Sequence, residues 1–135
     1  MSIGQEGVAS LYIQDEKSVI YKYYVYNYDI PELNNKDRIE DGFITIEKDA
    51  FVEPEIHEKI KRLPNGKKKL ITKKIIKYVD IFPLITNKKI IVETSKYDWK
   101  INDLNIGEGT RLVLCEIFED YQKQGQIPEW SGFIK

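Results

Sequence analysis

Alternating apolar and polar residues predict β structure in the N-terminal part of the chain. Alternation is clear in VASLYIQ (8–14), turn formers follow in DEKS (15–18), and alternation returns in VIYKYYVYNY (19–28). Two such segments joined by a short turn predict a β-hairpin. One face of the second strand carries Val19, Tyr21, Tyr23 and Val25, and the other carries Ile20, Lys22, Tyr24, Tyr26 and Tyr28. Because both faces are largely apolar, we expect a helix to cover one and to leave the other partly exposed.

Further strands are predicted in the middle of the chain. We interpret the polar stretch 30–41 as a loop and the alternating stretch 42–48 as a short strand. The β-branched segment LITKKIIKYVDIF (70–82) is expected to be extended, and NKKIIVETS (87–95) is expected to form another strand. Residues 97–103 either lengthen that strand or form a further edge of the sheet.

The segment FVEPEIHEKIKRLPNG (51–66) allows two interpretations. Pro54 suits the first turn of a helix, and the flanking Glu53 and Glu55 suit the positive end of its dipole. Apolar residues then follow at helical spacing, at Ile56, Ile60 and Leu63. This pattern predicts a short helix over about 54–63. The alternative is a strand, with Pro64-Asn65-Gly66 as a hairpin turn.

The C-terminal part of the chain shows the clearest helical periodicity. Apolar and packing positions recur at spacings of three and four, at Thr110, Val113, Leu114, Ile117, Phe118 and Tyr121. Asn105 with Glu108 forms a candidate N-cap pair, and Gly125 is expected to end the helix. These features predict an amphipathic helix over about 107–124. We expect Trp130 and Phe133, beyond it, to fold back onto the core.

The predicted elements define an α+β fold. We expect an antiparallel sheet of about five or six strands, packed by the C-terminal amphipathic helix, in a single domain spanning 1–135. The predicted core comprises Leu11, Ile13, Tyr21, Tyr23, Val25, Ile44, Ile46, Ile91, Val113, Leu114, Ile117 and Phe118.

Composition favours a soluble protein of the cytoplasm. A chain of 135 residues can bury a sizeable core without disulfides, and its single cysteine, Cys115, cannot form an internal one. The first residues lack the basic and apolar regions of a signal peptide. No apolar run approaches the roughly 18 residues needed to cross a bilayer. We therefore predict a cytoplasmic location and no membrane partner.

Candidate catalytic side chains are few. The only histidine, His57, has Glu53 and Glu58 nearby, a setting that suits acid–base chemistry. On the predicted helix it lies toward the polar side, so we interpret it as a surface residue. Cys115 adjoins the apolar stripe of the C-terminal helix without a second Cys or a paired His. We interpret it as a buried structural cysteine.

Other chemical motifs are equally weak. The carboxylates of Glu116, Glu119 and Asp120 lie on the polar side of the same helix, which a solvated face explains. One His and one Cys argue against a zinc site. GEGT (107–110) lacks the Lys-Ser/Thr of a phosphate-binding loop and is expected to begin the helix. We predict no cofactor, no metal and no catalytic activity.

Charge is the one strongly uneven feature of the sequence. Residues 59–77 hold nine of the 21 basic residues and none of the 22 acidic ones, which gives +9 there and 12 − 22 = −10 elsewhere. The predicted binding residues within this segment are Lys61, Arg62, Lys67, Lys68, Lys69, Lys73 and Lys74. Such a separation of charge suits fast, electrostatically steered association.

Three interpretations of the basic segment remain open. The favoured one is a protein–protein interface, and its sharpest version is an inhibitor of a toxin, since bacterial immunity proteins and antitoxins are of similar size and charge character. The second is nucleic-acid binding, with lysines on phosphates and Tyr23, Tyr24 and Tyr26 stacking on bases. A pI near 5.9 and a single arginine in the segment argue against it. The third is a solvated, protective edge strand.

Overall fold

The computed structural model describes residues 4–100 and 106–135, which contain seven strands and two α-helices. In chain order these are β1 (Gln5–Gln14), β2 (Ser18–Asn27), β3 (Gly42–Glu47), β4 (Glu55–Arg62), β5 (Lys68–Ile75), α1 (Ile81–Thr86), β6 (Ile90–Glu93), α2 (Glu108–Gln124) and β7 (Trp130–Ile134). Five strands form an antiparallel sheet in the order β6-β3-β2-β1-β7, while β4 and β5 form a separate two-stranded sheet. The α+β class, with an antiparallel sheet and a C-terminal helix, is confirmed.

The predicted β1–β2 hairpin is present. The Asp15 carboxylate accepts hydrogen bonds from the backbone N–H groups of Lys17 and Ser18, both at 2.8 Å, and so closes the turn. The alternation in β2 has the predicted effect, because Val19, Tyr21, Tyr23 and Val25 are fully buried. Their neighbours on the opposite face are only half-buried. One side of the sheet therefore carries the core, and the other is open.

Helix α2 covers the buried side of the sheet. Its fully buried stripe includes Val113, Leu114 and Ile117, as the periodicity predicted. The helix ends at Gly125, whose φ of 74° lies in the left-handed region and whose N–H donates to the Tyr121 carbonyl. The predicted C-terminal stop is thus confirmed.

The N-terminus of α2 is capped by a residue that the sequence pattern did not identify. The Asp98 carboxylate accepts hydrogen bonds from the N–H groups of Gly109 (2.9 Å) and Thr110 (3.1 Å) and from the Thr110 hydroxyl. A Cβ at Gly107 would collide with this carboxyl group, so the close approach requires glycine. The predicted cap residue Asn105 lies outside the described residues.

Two predicted core residues are exposed. Ile13 is 58% exposed because the β1–β2 register shifts between Leu11 and Ile13, which changes the face of the residues that follow. Ile91 is 53% exposed because its neighbour Ile90 takes the buried position of β6. Leu11 is partly buried against the core, and the other nine predicted residues are fully or almost fully buried.

The C-terminal residues form an unpredicted strand. Strand β7 pairs antiparallel with β1 and completes one edge of the sheet. Phe133 packs in the core as expected. The expectation for Trp130 is wrong, because successive residues of a strand point to opposite faces and Trp130 lies on the open face, 67% exposed.

The largest correction concerns the helix predicted over 54–63, which is strand β4. The spacing of four between Ile56 and Ile60 fits one face of a strand as well as one face of a helix, so it does not distinguish the two. Pairing with β5 supplies the hydrogen bonds that a short isolated helix would struggle to maintain in water. The alternative interpretation, with Pro64-Asn65-Gly66 as a hairpin turn, is the one observed.

Smaller corrections affect the flanking segments. The extended stretch predicted over 70–82 ends as β5 at Ile75, and α1 begins at Ile81, where the Asp80 carboxylate accepts a hydrogen bond from the Phe82 N–H. The strand predicted over 87–95 is shortened to β6. Residues 97–100 lie outside the strands, and 101–103 lie outside the described residues.

Candidate interaction surface: the basic hairpin

Strands β4 and β5 form a hairpin, here called the basic hairpin (residues 55–75), that stands apart from the main sheet. Neither strand packs extensively against another described element. Its turn is closed by two backbone hydrogen bonds, from Gly66 N–H to Leu63 O at 2.9 Å and from Leu63 N–H to Lys67 O at 2.7 Å. Gly66 adopts a φ of 82°, which permits the tight turn after Pro64-Asn65. The turn chemistry therefore fixes the register of the strands.

The two faces of the basic hairpin differ in chemistry. Residues directly opposite in an antiparallel pair share a face, and alternate residues along each strand do so too. One face, the lysine face, contains His57, Lys59, Lys61, Lys69 and Lys73. The other, the apolar face, is centred on Ile56, Ile60 and Leu70, which are 50%, 65% and 56% exposed. Ile60 and Leu70 lie directly opposite each other.

The structure brings all seven predicted binding residues onto this hairpin, where every one is exposed. They do not share one face. Lys61, Lys69 and Lys73 belong to the lysine face; Arg62, Lys68 and Lys74 lie at the margins of the apolar face; and Lys67 belongs to the turn. The positive charge therefore surrounds the hairpin on both sides.

The basic hairpin carries eight Lys or Arg side chains and two carboxylates, Glu55 and Glu58. Within the described residues, none of its Lys or Arg side chains forms an ion pair. Elsewhere four basic side chains form ion pairs, those of Arg38, Lys89, Arg111 and Lys123. Within the hairpin, Lys74 Nζ donates a hydrogen bond to the Lys123 carbonyl of α2 at 3.2 Å. The interpretation of the basic segment as a solvated, protective edge strand stays a prediction.

The base of the hairpin is attached to the C-terminal half of α2. Gln122 is fully buried, and its side-chain amide both accepts a hydrogen bond from the Lys77 N–H and donates one to the Lys77 carbonyl, each at 2.8 Å. The Tyr121 hydroxyl donates to Glu53 at 2.7 Å, on the chain leading into β4. Phe51 packs its ring against those of Tyr121 and Phe118. The hairpin thus projects from a fixed base.

Tyr23 does not belong to any exposed surface. Its ring is fully buried, and its hydroxyl lies 2.7 Å from Thr110 Oγ1 and accepts a hydrogen bond from the Ser95 N–H at 3.0 Å. Burial raises the pKa of Tyr23 to about 12. The interpretation of Tyr23 as a base-stacking residue is wrong. Tyr24 and Tyr26, on the open face of the sheet, are half-buried.

The histidine and the cysteine lie on different elements, His57 on β4 and Cys115 on α2. His57 is exposed on the hairpin, with Nε2 at 2.7 Å from a Glu55 oxygen. Cys115 is partly buried rather than fully buried, and it lines a pocket of about 290 Å³ that also involves Tyr78 and Phe118. Burial raises the pKa of the Cys115 thiol, which disfavours the reactive thiolate. His57 is not among the residues that line this pocket.

Of the three α2 carboxylates considered above, Asp120 and Glu119 have partners, whereas none is found for the half-buried Glu116 within the described residues. Asp120 accepts a hydrogen bond from the Ser131 hydroxyl at 2.7 Å, and Glu119 pairs with Lys123 at 3.0 Å. The stretch GEGT (107–110) begins α2, as predicted. The backbone N–H groups of Gly109 and Thr110 there donate hydrogen bonds to the Asp98 carboxylate. Within the described residues, no group of three or more His, Cys, Asp or Glu side chains is placed to hold a metal ion.

Sequence reasoning missed the apolar face. The signal was present, because residues equidistant from Asn65 pair across a turn centred there, and this rule places Ile60 opposite Leu70.

Comparisons with protein-family models, curated proteins and solved structures found no match to this chain. Within residues 4–100 and 106–135, no helix has the length and apolar character to cross a bilayer.

Proposed function

We propose that this chain is a non-catalytic binding protein whose basic hairpin docks onto an acidic, partly apolar surface of a protein partner. The supporting observation is the apolar face, where Ile56, Ile60 and Leu70 are each at least half exposed on a projecting element. A two-stranded hairpin alone is only marginally stable in water. Burial of these three apolar side chains against a partner is therefore expected to contribute most of the favourable free energy of binding.

The distribution of groups on the apolar face resembles the anatomy of a protein interface. Interfaces have an apolar centre and a polar rim. Here Ile60 and Leu70 form the centre, and Arg62 and Lys68 flank them toward the turn. Toward the base lie Glu58, Thr72 and Lys74, so the rim carries three cations and one carboxylate. Charged groups at a rim steer the encounter and set its salt dependence, while the apolar centre supplies most of the affinity. An acidic partner surface complements this arrangement.

An inhibitor of immunity type, directed against a toxin, is the specific form of this function that we favour. Such a protein needs a rigid base, an accessible binding element and no chemistry of its own. The basic hairpin provides the accessible element, and Gln122 and Tyr121 of α2 hold its base. As part of this proposal, we place the protein in the cytoplasm.

Nucleic-acid binding is the alternative function, and the lysine face favours it. A two-stranded ribbon fits the major groove of DNA, and lysines on one face of such a ribbon can contact phosphates. Two features weigh against it. The chain outside residues 59–77 carries −10, which repels a polyanion, and the apolar face has no role in phosphate contact.

The two functions are separated by testing the faces independently. The apolar-face variant is Ile60→Thr with Leu70→Thr, which keeps β-branched or strand-compatible residues while removing apolar surface. Ile71→Thr, on the lysine face, is the matched control, since Ile71 is also exposed. Affinity capture with wild-type protein yields partner candidates, and each candidate is then purified and titrated against the three proteins. We expect binding weakened at least about tenfold by the double change and little altered by Ile71→Thr.

Nucleic-acid binding is measured in parallel by anisotropy of labelled single-stranded RNA and duplex DNA at several salt concentrations. The comparison variant carries Lys67→Glu, Lys68→Glu and Lys69→Glu. We expect weak binding of both nucleic acids even at low salt. Tight, salt-dependent binding that is lost in the triple variant and retained in the apolar-face variant would replace the protein-partner proposal with the alternative. Partner affinity equal for the apolar-face variant and wild type would also contradict it.

A further inference from the structure

Strand β7 is an edge of the main sheet with free backbone groups. Gln5 and Lys135 exchange two backbone hydrogen bonds, and Leu11 N–H donates to Glu129 O. Because bonded and non-bonded pairs alternate along an antiparallel ladder, Ser131 and Phe133 also direct their backbone groups toward β1. The N–H and C=O groups of Trp130, Gly132 and Ile134 therefore point outward. Within the described residues, no backbone hydrogen bond to them from that outer side is found.

This edge lacks the usual protection against pairing. Exposed edge strands are commonly guarded by lysine, proline, a bulge or an inward-pointing charge. The sequence of β7 is WSGFI, which contains no charged residue and no proline, and its register with β1 is unshifted. Trp130 and Ile134 are 67% and 65% exposed, and both project from the open face. A strand of this kind presents both hydrogen-bonding groups and apolar area to another strand.

The edge is complementary to itself. We propose that two copies of this chain pair antiparallel through β7 about a two-fold axis at Gly132. In this register Trp130 lies opposite Ile134 of the second copy, and both are apolar residues on the same face. One step further out, Glu129 lies opposite Lys135 of the second copy, which places opposite charges together. Two-fold symmetry repeats each of these pairs.

The hydrogen-bond parity also fits this register. Gly132, Trp130 and Ile134 are the residues with outward backbone groups, and a two-fold axis at Gly132 pairs each of them with an outward-facing residue of the second copy. A register shifted by one residue would pair outward with inward groups and would oppose Trp130 to Phe133, which is buried. The paired sheets would form one antiparallel sheet of ten strands. This proposal does not depend on the function of the basic hairpin.

The test is the mass of the full chain as a function of concentration, measured by sedimentation equilibrium with a reductant present to keep Cys115 from cross-linking. We expect the mass to rise from 15.9 kDa toward twice that value. Trp130→Lys should weaken dimerisation at least about tenfold, because it removes two apolar pairs and adds charge to the edge. Ile91→Lys is the matched control, since Ile91 is an exposed residue of the opposite edge strand. It should leave dimerisation unchanged.

A charge exchange identifies the register. Glu129→Lys or Lys135→Glu alone creates two like-charged pairs and should raise the dissociation constant by about three- to tenfold. Both changes together restore opposite charges and should restore wild-type dimerisation. A constant mass of 15.9 kDa at all concentrations would overturn the proposal. So would a dimer that is insensitive to Trp130→Lys, or a double variant no better than the single ones.

Discussion

The main sheet with α2 and the basic hairpin use the same kinds of residue in opposite ways. In the sheet, β-branched and aromatic residues such as Val19, Tyr21 and Ile44 are fully buried beneath α2. In the hairpin, every residue of β4 and all but Ile75 of β5 are exposed, including large apolar ones. Stability of the sheet comes from removing apolar area from water, whereas the hairpin removes little. The apolar residues of the main sheet therefore stabilise the fold, whereas those of the basic hairpin remain accessible for binding.

This difference predicts that the two regions respond very differently to truncation of apolar side chains. Core substitutions create cavities, whereas exposed positions have none to create. Charge follows the same division. Arg38 and Lys89 form ion pairs with carboxylates distant in sequence, and Arg111 and Lys123 form ion pairs within α2, while the hairpin's Lys and Arg side chains form none within the described residues. Experiments on paired positions in the two regions can therefore break or sharpen the comparison.

The largest effect is expected for Phe118→Ala. Phe118 is 1% exposed and its ring lies 5.1 Å from that of Phe51, measured between centroids. Removing it loses burial and leaves a cavity, so we expect the free energy of unfolding to fall by about 3 to 5 kcal/mol. Urea denaturation measures this change. A loss below about 1 kcal/mol would mean that this part of the core collapses around the gap.

The next effect is a loss of stability at high pH. Burial raises the pKa of Tyr23 to about 12, above its ordinary value of 10.0. The neutral hydroxyl is therefore favoured in the folded chain, and its stabilisation is present below pH 10 and lost as pH rises toward 12. The rise in pKa corresponds to about 2 to 3 kcal/mol. Burial also raises the pKa of Tyr21, which adds to the effect in the same direction.

Urea denaturation at several alkaline pH values tests this prediction, with ultraviolet absorbance reporting tyrosine ionisation. Tyr23→Phe is the control variant. It should start from lower stability, because the hydrogen bonds with Thr110 and Ser95 are lost, but should lose less on going to high pH. A wild-type chain whose stability is independent of pH across this window would contradict the burial of an ionisable hydroxyl.

A smaller effect is expected at the junction of the two regions. Gln122→Leu removes both side-chain hydrogen bonds to the backbone of Lys77. Leaving buried polar groups unpaired costs about 1 to 3 kcal/mol. The Lys77 backbone groups are only partly buried, so we expect the free energy of unfolding to fall by the lower half of that range. Gln124→Leu, at an exposed position of the same helix, is the control. Amide exchange of Lys77 should accelerate in the first variant alone.

How far the sequence predicts the structure depends on whether the spacing of apolar residues in a segment fits only one type of secondary structure. In β2 and α2 it does, and the core residues predicted there are buried, whereas the burial of Asn27, Leu112 and Gln122 was not predicted. In β4 the spacing of Ile56 and Ile60 fits both periods, and only the pairing with β5 decides between them. The lysines of the site were identified from composition. The apolar face was not, because it is created by two strands that meet across a turn.

The smallest effect on stability, and the most informative contrast, is expected for the apolar face. Ile60→Thr with Leu70→Thr changes two side chains that are 65% and 56% exposed, so we expect the free energy of unfolding to change by no more than about 0.5 kcal/mol per site. Thr retains β propensity, which keeps the strand pairing intact. The same double change is predicted above to weaken partner binding at least about tenfold. Residues that contribute little to folding yet strongly to binding would establish the basic hairpin as a surface maintained for its partner. A loss of several kcal/mol would instead mean that this face packs against the chain itself and that the two regions fold as one.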